Sequence, residues 1–118
     1  MPFVKLLTNL PKDKLPLQLM PILCEKLAST LEKDLKAFNW ILETDKNMSK
    51  GPNNESTPYI YMEIRALKVF DTREQMVQHM PKLFGIMTDL TGLGQDQIHI
   101  LAAPVEPFYL GVNGSIKN

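Results

Sequence analysis

The chain has 118 residues, enough for a single domain that buries roughly two thirds of its unfolded surface. Its 13 basic and 13 acidic side chains cancel, and the basic residues are scattered, so no nucleic-acid partner is predicted. No apolar stretch approaches the roughly 20 residues of a membrane helix, and the N-terminus lacks a signal-peptide pattern. These features predict a protein made in the cytosol, without membrane insertion.

The first half of the chain has the pattern strand, helix, strand. Residues 3–7 are rich in strand formers and precede the turn sequence "TNLP". Apolar side chains then recur every four residues between 14 and 33, which predicts one face of a long helix. Pro16 suits the first turn of this helix, whereas Pro21 has no amide hydrogen and should bend the helix or delay its start. The aromatic and β-branched segment "AFNWILET" at 37–44 predicts the second strand.

Two minor features of the sequence are expected to be structural. Cys24 is the single cysteine and lies among the apolar residues of the first helix, which favours a core side chain over a reactive thiol. Three N-x-S triplets begin at Asn47, Asn54 and Asn113, and we expect them to be unglycosylated loop residues.

The second half begins with a polar segment at 45–57, which predicts a mobile loop. The sequence "PYIYMEIRALKVF" at 58–70 predicts a third strand, longer than the first. A second helix follows, and its start is marked by two possible capping boxes, Asp71 with Glu74 and Thr72 with Gln75. Its apolar face comprises Met76, Val77, Met80, Phe84 and Met87. Pro81 is expected to interrupt this helix in its middle.

Two strands complete the predicted order, "QIHILAAP" at 97–104 and a short "FYLGV" at 108–112. The halves at about 2–50 and 58–112 echo each other, which indicates a duplicated β-α-β unit within one domain, 1–118. The predicted fold class is therefore α/β (α+β), with a four-stranded sheet and two helices on one face. The other sheet face and the spare last strand predict an oligomer in which sheets pack together and the last strand pairs with a neighbour.

A chain of this length and order that starts at a proline resembles the macrophage migration inhibitory factor and D-dopachrome tautomerase family of the tautomerase superfamily. The resemblance runs from end to end. Its most specific sequences are "MPF", "TNLP" at 8–11, "LGQD" at 93–96 and "PVEPFYLG" at 104–111, with Pro16 and Lys33 between them. It implies a homotrimer whose sheets surround a central solvent channel, with active sites between subunits and with no cofactor and no metal.

In this family Pro2 would be the catalytic base, once removal of Met1 exposes its secondary amine. An ordinary amine is mostly protonated at neutral pH, but burial and a nearby cation both lower the pKa of an amine. Phe3 would supply an apolar wall, and Lys33 would supply the cation and bind the substrate carboxylate. Taken alone, Lys33 is also explained as a cation that faces the dipole of the first helix.

The resemblance also implies a substrate-binding backbone amide, at Leu67 or, if the alignment slips by one residue, at Ala66. Arg65 lies close by and could assist an anionic substrate, although a solvated arginine at a strand edge is the simpler account. Three pocket positions depart from the pattern of macrophage migration inhibitory factor, the cytokine of this family. They are His99, Leu101 and Val112, so we expect a less aromatic pocket. A lone histidine in the middle of a strand, such as His99, could titrate near neutral pH or be structural. The sequence "YIYM" replaces the cytokine's C-x-x-C pair, so no thiol-disulfide activity is predicted.

The sequence thus supports a cofactor-free keto-enol tautomerase that acts on a small α-keto acid or dopachrome-like substrate and has cytokine activity. The alternative is a secreted, cytokine-like protein that binds a cell-surface receptor with little or no physiological catalysis. A trimeric scaffold with neither activity is the third possibility. The resemblance implies a cytoplasmic protein that is also secreted by a signal-peptide-independent route.

Overall fold

Two β-α-β units follow each other in the computed structural model, which describes residues 1–117. The first unit contains β1 (Phe3–Thr8), α1 (Leu19–Leu31) and β2 (Asn39–Glu43). The second contains β3 (Ile60–Ala66), α2 (Arg73–Thr91) and β4 (Ile98–Pro104), and the short strands β5 (Gly111–Val112) and β6 (Ser115–Ile116) follow it. The predicted element order is confirmed through β4.

The first helix begins at Leu19, a late start that agrees with the delay predicted from Pro21, and Pro16 lies before the helix rather than in its first turn. Residues 12–14 form a 3-10 turn, and Gln18, just before the helix, has a left-handed backbone with φ 61°. Pro21 is the third helical residue, a position where an amide hydrogen would have no partner within the helix, so the proline is tolerated there. The buried face of α1 consists of Leu19, Met20, Leu23, Cys24, Leu27, Ala28 and Leu31. It ends before Glu32, which is also left-handed.

Of the two possible capping boxes, the structure uses Thr72 with Gln75. The Thr72 hydroxyl accepts from the Gln75 amide at 3.1 Å, and the Gln75 side-chain oxygen accepts from the Thr72 amide at 3.1 Å. Pro81 lies inside α2 but does not interrupt it, contrary to the prediction. The last helical residue is Thr91, and Gly92 caps the end. The φ of Gly92, 74°, suits a glycine, and its amide donates to the Thr88 carbonyl.

The sheet has the strand order β2-β1-β3-β4. Within each unit the strands are parallel, whereas the central pair β1 and β3 is antiparallel, with Phe3 opposite Arg65 and Thr8 opposite Ile60. The third strand ends at Ala66 rather than at residue 70, because Lys68 takes a left-handed conformation and turns the chain. The antiparallel centre brings the start of β1 to the end of β3.

Both helices cover one face of the sheet, as predicted. The strand residues on that face are buried and comprise Val4, Leu6, Thr8, Ile60, Met62, Ile64, Ala66 and Ile98. The other face is uncovered in the single chain, where the side chains of Phe3, Ile41 and Leu101 are 36, 56 and 45% exposed. Among residues 1–117 no helix has the length and apolarity to cross a membrane.

The C-terminal segment differs from the predicted strand at 108–112. Residues 107–109 form a 3-10 turn, and β5 pairs with β6 in a hairpin rather than running on as a single strand. Asn113 and Gly114 form the turn with φ of 53° and 86°, the left-handed pair of a type I′ turn. All three predicted N-x-S asparagines lie outside helices and strands.

Candidate active site

Pro2 lies at the start of the central strand β1. Its ring is buried, as are Val4 and Leu6 at the alternate positions that follow on the same strand. Its carbonyl accepts a hydrogen bond from the Asn39 amide of β2 at 3.0 Å. With Met1 in place, the nitrogen of Pro2 belongs to a peptide bond. The N-terminus is therefore held at one end of the sheet, between β2 and β3.

Lys33 reaches the same end of the sheet from the helix layer. The chain leaves α1 through the left-handed Glu32, and the Lys33 amide donates to the Ala28 carbonyl at 3.0 Å. The half-buried Lys33 side chain then extends to the second unit, where Nζ donates to the Leu67 carbonyl at 2.7 Å. Within residues 1–117 Lys33 forms no ion pair. Its ammonium has three donors, so it retains hydrogen-bonding capacity for an anion.

The electrostatics of the N-terminus favour a neutral amine. Burial, chiefly, lowers the pKa of the Met1 amine, and the positive charges of Lys33 and Lys117 lower it further. The amine therefore loses its proton more readily than an amine in water. Pro2 is more deeply buried than Met1 in this region.

Leu67 is the first residue after β3, and its contact with Lys33 places it at the same end of the sheet as Pro2. We call Pro2, Lys33 and Leu67 the N-terminal cluster. Ala66, one residue earlier, is fully buried at the end of β3, and its carbonyl accepts from the Val105 amide at 3.2 Å. The structure thus brings Leu67 together with Lys33, while Ala66 belongs to the strand.

The structure does not bring His99 and Leu101 to this cluster within one chain. They lie on β4, opposite Tyr61 and Glu63 of β3, on the uncovered face of the sheet. Pro2 is buried on the helix side, two strands away. Arg65 is also on the uncovered face, where it forms an ion pair with Glu63 at 3.2 Å. Val112 lies in β5 of the C-terminal hairpin.

Lys117 is a charged neighbour of the N-terminus that the sequence analysis missed. The hairpin returns the chain so that the Lys117 amide donates to the Leu110 carbonyl at 2.9 Å. The dipeptide Asn113-Gly114 is the sequence signal that predicts such a reversal.

The whole sequence, residues 1–118, matches the family model described as macrophage migration inhibitory factor (MIF). The chain belongs to the macrophage migration inhibitory factor family. It is 35% identical over 116 residues to D-dopachrome decarboxylase-B of Xenopus laevis, a match that covers 98% of this chain and 97% of the relative. It is 30% identical to D-dopachrome decarboxylase of Mus musculus over the same shares of the two chains.

Solved structures of the macrophage migration inhibitory factor family share the fold. The factor from Trichinella spiralis superimposes with a TM-score of 0.86 at 18% identity, covering 97% of this chain and 98% of that one. The homologue from Prochlorococcus marinus gives a TM-score of 0.80 at 23% identity, with 98% and 99% covered. The predicted fold class is therefore confirmed.

In this member of the macrophage migration inhibitory factor family, Cys24 is buried on α1 and packs in the core. Burial raises the pKa of its thiol, so the reactive thiolate is disfavoured. Among residues 1–117 no group of three or more histidine, cysteine or carboxylate side chains could hold a metal ion.

Proposed function

We propose that this protein is a cofactor-free keto-enol tautomerase in which Pro2, exposed by removal of Met1, is the general base. Its 28 to 35% identity with D-dopachrome decarboxylases over nearly the whole chain supports an isomerase-type enzyme. The observation that carries the proposal is the environment of the N-terminus, in which burial and two lysines lower the pKa of the terminal amine. The same burial and the same lysines should lower the pKa of a proline amine one residue further into this environment, which favours its neutral, basic form.

The proposed substrate is a small α-keto acid or a dopachrome-like compound. The Pro2 nitrogen removes a proton from the carbon beside the carbonyl, the electron pair of that C–H bond forms the C=C bond, and the C=O π pair moves onto oxygen. The enolate oxygen takes up a proton from water, and protonated Pro2 returns its proton to the solvent, which restores the base. Lys33 binds the substrate carboxylate, because its ammonium lacks a carboxylate partner within residues 1–117. The backbone amide of Leu67, whose carbonyl already accepts from Lys33, is the proposed second contact to the substrate.

The complete site is proposed to form between subunits of a homotrimer. The uncovered sheet face carries exposed apolar side chains, which supports association through this face. His99 and Leu101 lie on this face and would reach the pocket of the neighbouring subunit, and Val112 would line the pocket from the C-terminal hairpin. The mass of the particle in solution, measured by light scattering, tests the trimer.

Receptor binding outside the cell is the second candidate function, and membership of the macrophage migration inhibitory factor family supports it. A cytoplasmic protein released by a signal-peptide-independent route belongs to this proposal. Saturable binding of labelled protein to macrophages, measured for wild type and Pro2→Gly, tests it. Equal binding by the two proteins would separate receptor binding from catalysis, and the absence of saturable binding would contradict the proposal.

The state of the N-terminus provides the decisive test of the enzyme. Protein whose intact mass shows that Met1 is absent is compared with protein that carries an uncleaved N-terminal extension, using phenylpyruvate and dopachrome methyl ester. We expect turnover by the first and a loss of at least ~100-fold in the second, because an amide nitrogen has no basic lone pair. Mass-verified protein that begins at Pro2 and does not exceed the buffer rate would contradict the proposal.

A further inference from the structure

A tyrosine and a histidine form a hydrogen-bonded pair at the end of the sheet opposite Pro2. The Tyr59 hydroxyl lies 2.8 Å from Nδ1 of His99. Their rings meet edge to face, with centroids 5.6 Å apart and planes inclined by 82°. Tyr59 directly precedes β3, and His99 is the second residue of β4. The pair lies near the surface and outside the core, so its hydrogen bond contributes little to holding the fold together.

The backbone of Tyr59 is held on both sides by side chains from the end of β1. Its amide donates to the side-chain oxygen of Asn9 at 2.9 Å, and its carbonyl accepts from the Thr8 hydroxyl at 2.9 Å. The Asn9 nitrogen also donates to the carbonyls of Glu55 and Thr57, at 3.1 and 2.8 Å. Tyr59 is therefore a fixed support, and His99 is the partner that the support orients.

The acidities of the two groups set the direction of the hydrogen bond. A phenol O–H is the better donor, and the bare ring nitrogen of a neutral imidazole is the better acceptor. Tyr59 is half-buried, and this partial burial raises the pKa of its hydroxyl, which therefore keeps its proton in the neutral range. Nδ1 of His99 then accepts from Tyr59, and the ring hydrogen of the neutral imidazole resides on Nε2.

We propose that Tyr59 is a positioning residue that fixes His99 with Nε2–H as a donor to an acceptor oxygen of the substrate in the neighbouring subunit's site. This inference rests on the proposed function, since it needs the trimer that carries His99 to that site. A fixed imidazole loses less freedom on binding than a free one, so its hydrogen bond contributes more to affinity.

The tautomer is tested first, by long-range proton–nitrogen NMR at a pH where the ring nitrogen shifts themselves show His99 to be neutral. In wild type we expect a hydrogen on Nε2 of His99 and none on Nδ1. In Tyr59→Phe, which keeps the ring and removes the hydroxyl, a mixture of the two tautomers is expected. A hydrogen on Nδ1 in wild type, or the same tautomer ratio in both proteins, would overturn the inference.

Binding and turnover of phenylpyruvate are then measured for Tyr59→Phe, His99→Phe and the double variant, each checked for trimer mass. Loss of one hydrogen bond predicts a KM and a dissociation constant raised about 3- to 10-fold in Tyr59→Phe, with kcat changed by less than about twofold. In the His99→Phe background the Tyr59 change should have no further effect, because Tyr59 acts through His99. Tyr61→Phe is the matched control, since it removes a hydroxyl that bonds to Glu63 instead.

Two results separate this inference from the proposed function. An inactive wild type that begins at Pro2 contradicts the tautomerase, while the dissociation constant of phenylpyruvate still tests the pair. An active wild type whose KM and dissociation constant are unchanged by Tyr59→Phe leaves the tautomerase intact and rejects the role of Tyr59. Additive effects of Tyr59→Phe and His99→Phe would also reject it.

Discussion

The two ends of the sheet use polar side chains in different ways. At the Asn9 end, formed by Thr8, Asn9 and Tyr59, polar side chains bond to backbone groups and hold the loop that precedes β3. At the Pro2 end, formed by Pro2, Lys33 and Leu67, a cation lies near the chain terminus, and no carboxylate within residues 1–117 forms an ion pair with Lys33. The comparison teaches that side chains at the Asn9 end serve the backbone, whereas the Lys33 ammonium at the Pro2 end keeps capacity to bind an anion.

The two β-α-β units differ in whether the proline before the first strand can become a free amine. Pro2 and Pro58 stand just before the first strands of their units, β1 and β3. The nitrogen of Pro58 is inside the chain, and its carbonyl accepts from the Gln97 side chain at 3.2 Å. Pro2 becomes a terminal amine when one residue is removed. The proline before β3 therefore accepts a hydrogen bond through its backbone carbonyl, whereas the proline before β1 is a candidate base.

The largest expected effect comes from Pro2→Gly, which replaces the rigid secondary amine by a mobile primary amine. Loss of a positioned general base predicts a decrease in kcat of about 10²- to 10⁴-fold, measured with phenylpyruvate on protein of verified mass. Pro16→Gly, at an exposed proline before α1, is the control and should retain full activity. Equal kcat values for wild type and Pro2→Gly would remove Pro2 from the mechanism.

Lys33→Ala is expected to have the second largest effect. Loss of a charge-assisted hydrogen bond to the substrate predicts a decrease in kcat/KM of roughly 100-fold. Catalysis needs the neutral amine, so kcat/KM should rise with pH through the pKa of Pro2 and level off above it. Without Lys33 that pKa increases, and the rise should move to higher pH.

The control for Lys33→Ala is Lys36→Ala, at an exposed lysine of the following 3-10 turn. Its pH profile should match that of wild type. A Lys33→Ala profile that keeps the wild-type midpoint would show that Lys33 does not influence the base, whatever happens to KM.

Asn9→Ala tests the opposite end of the sheet and should act on stability. It removes the hydrogen bonds that join the end of β1 to Tyr59 and to the loop that precedes β3. This loss predicts a decrease of about 2 kcal/mol in the free energy of unfolding. Urea denaturation measures this loss. Asn53→Ala, at an exposed asparagine of the same loop, should leave the midpoint unchanged. Equal midpoints for the two variants would refute the anchoring role of Asn9.

Thr72→Ala has the smallest expected effect and lies near the Pro2 end, outside the site. Removal of the cap of α2 predicts a loss of about 1 kcal/mol in the free energy of unfolding with kcat/KM unchanged. Thr72→Ser restores a hydroxyl and should recover most of the stability. A large decrease in kcat/KM for Thr72→Ala, under conditions where the protein is fully folded, would contradict this expectation. It would show that the start of α2 helps to position the active-site residues.

The strands and helices could be predicted from the sequence because their apolar periodicity is local. The errors have local causes too. Pro21 fits the first turn of α1, so the helix begins at Leu19, and the left-handed Lys68 ends β3 early. The hairpin at Asn113-Gly114 was hidden because its strands contain only two residues each, too few to show a pattern. Without alternating apolar and polar residues on both sides, an Asn-Gly pair predicts a turn but no strands.

The site was predictable only in part, since its geometry depends on long-range register. Pro2 and Lys33 were selected through the family resemblance, and their meeting place at Leu67 follows from the antiparallel pairing of β1 with β3. The Tyr59–His99 pair was not predicted, because it depends on the register between β3 and β4. Lys117 was missed for a related reason, since its location depends on how the hairpin turns back.

The antiparallel pairing of β1 with β3 also sets an order of events during synthesis. β1 and β2 belong to the first unit and can pair through α1 alone, but the other edge of β1 has no partner until Ile60 to Arg65 have emerged. During that interval an apolar strand presents an open edge to other chains. The central pairing closes a long stretch of sequence, which slows folding relative to local helix formation. A nascent chain of the first unit alone should therefore be prone to aggregation until its second half arrives.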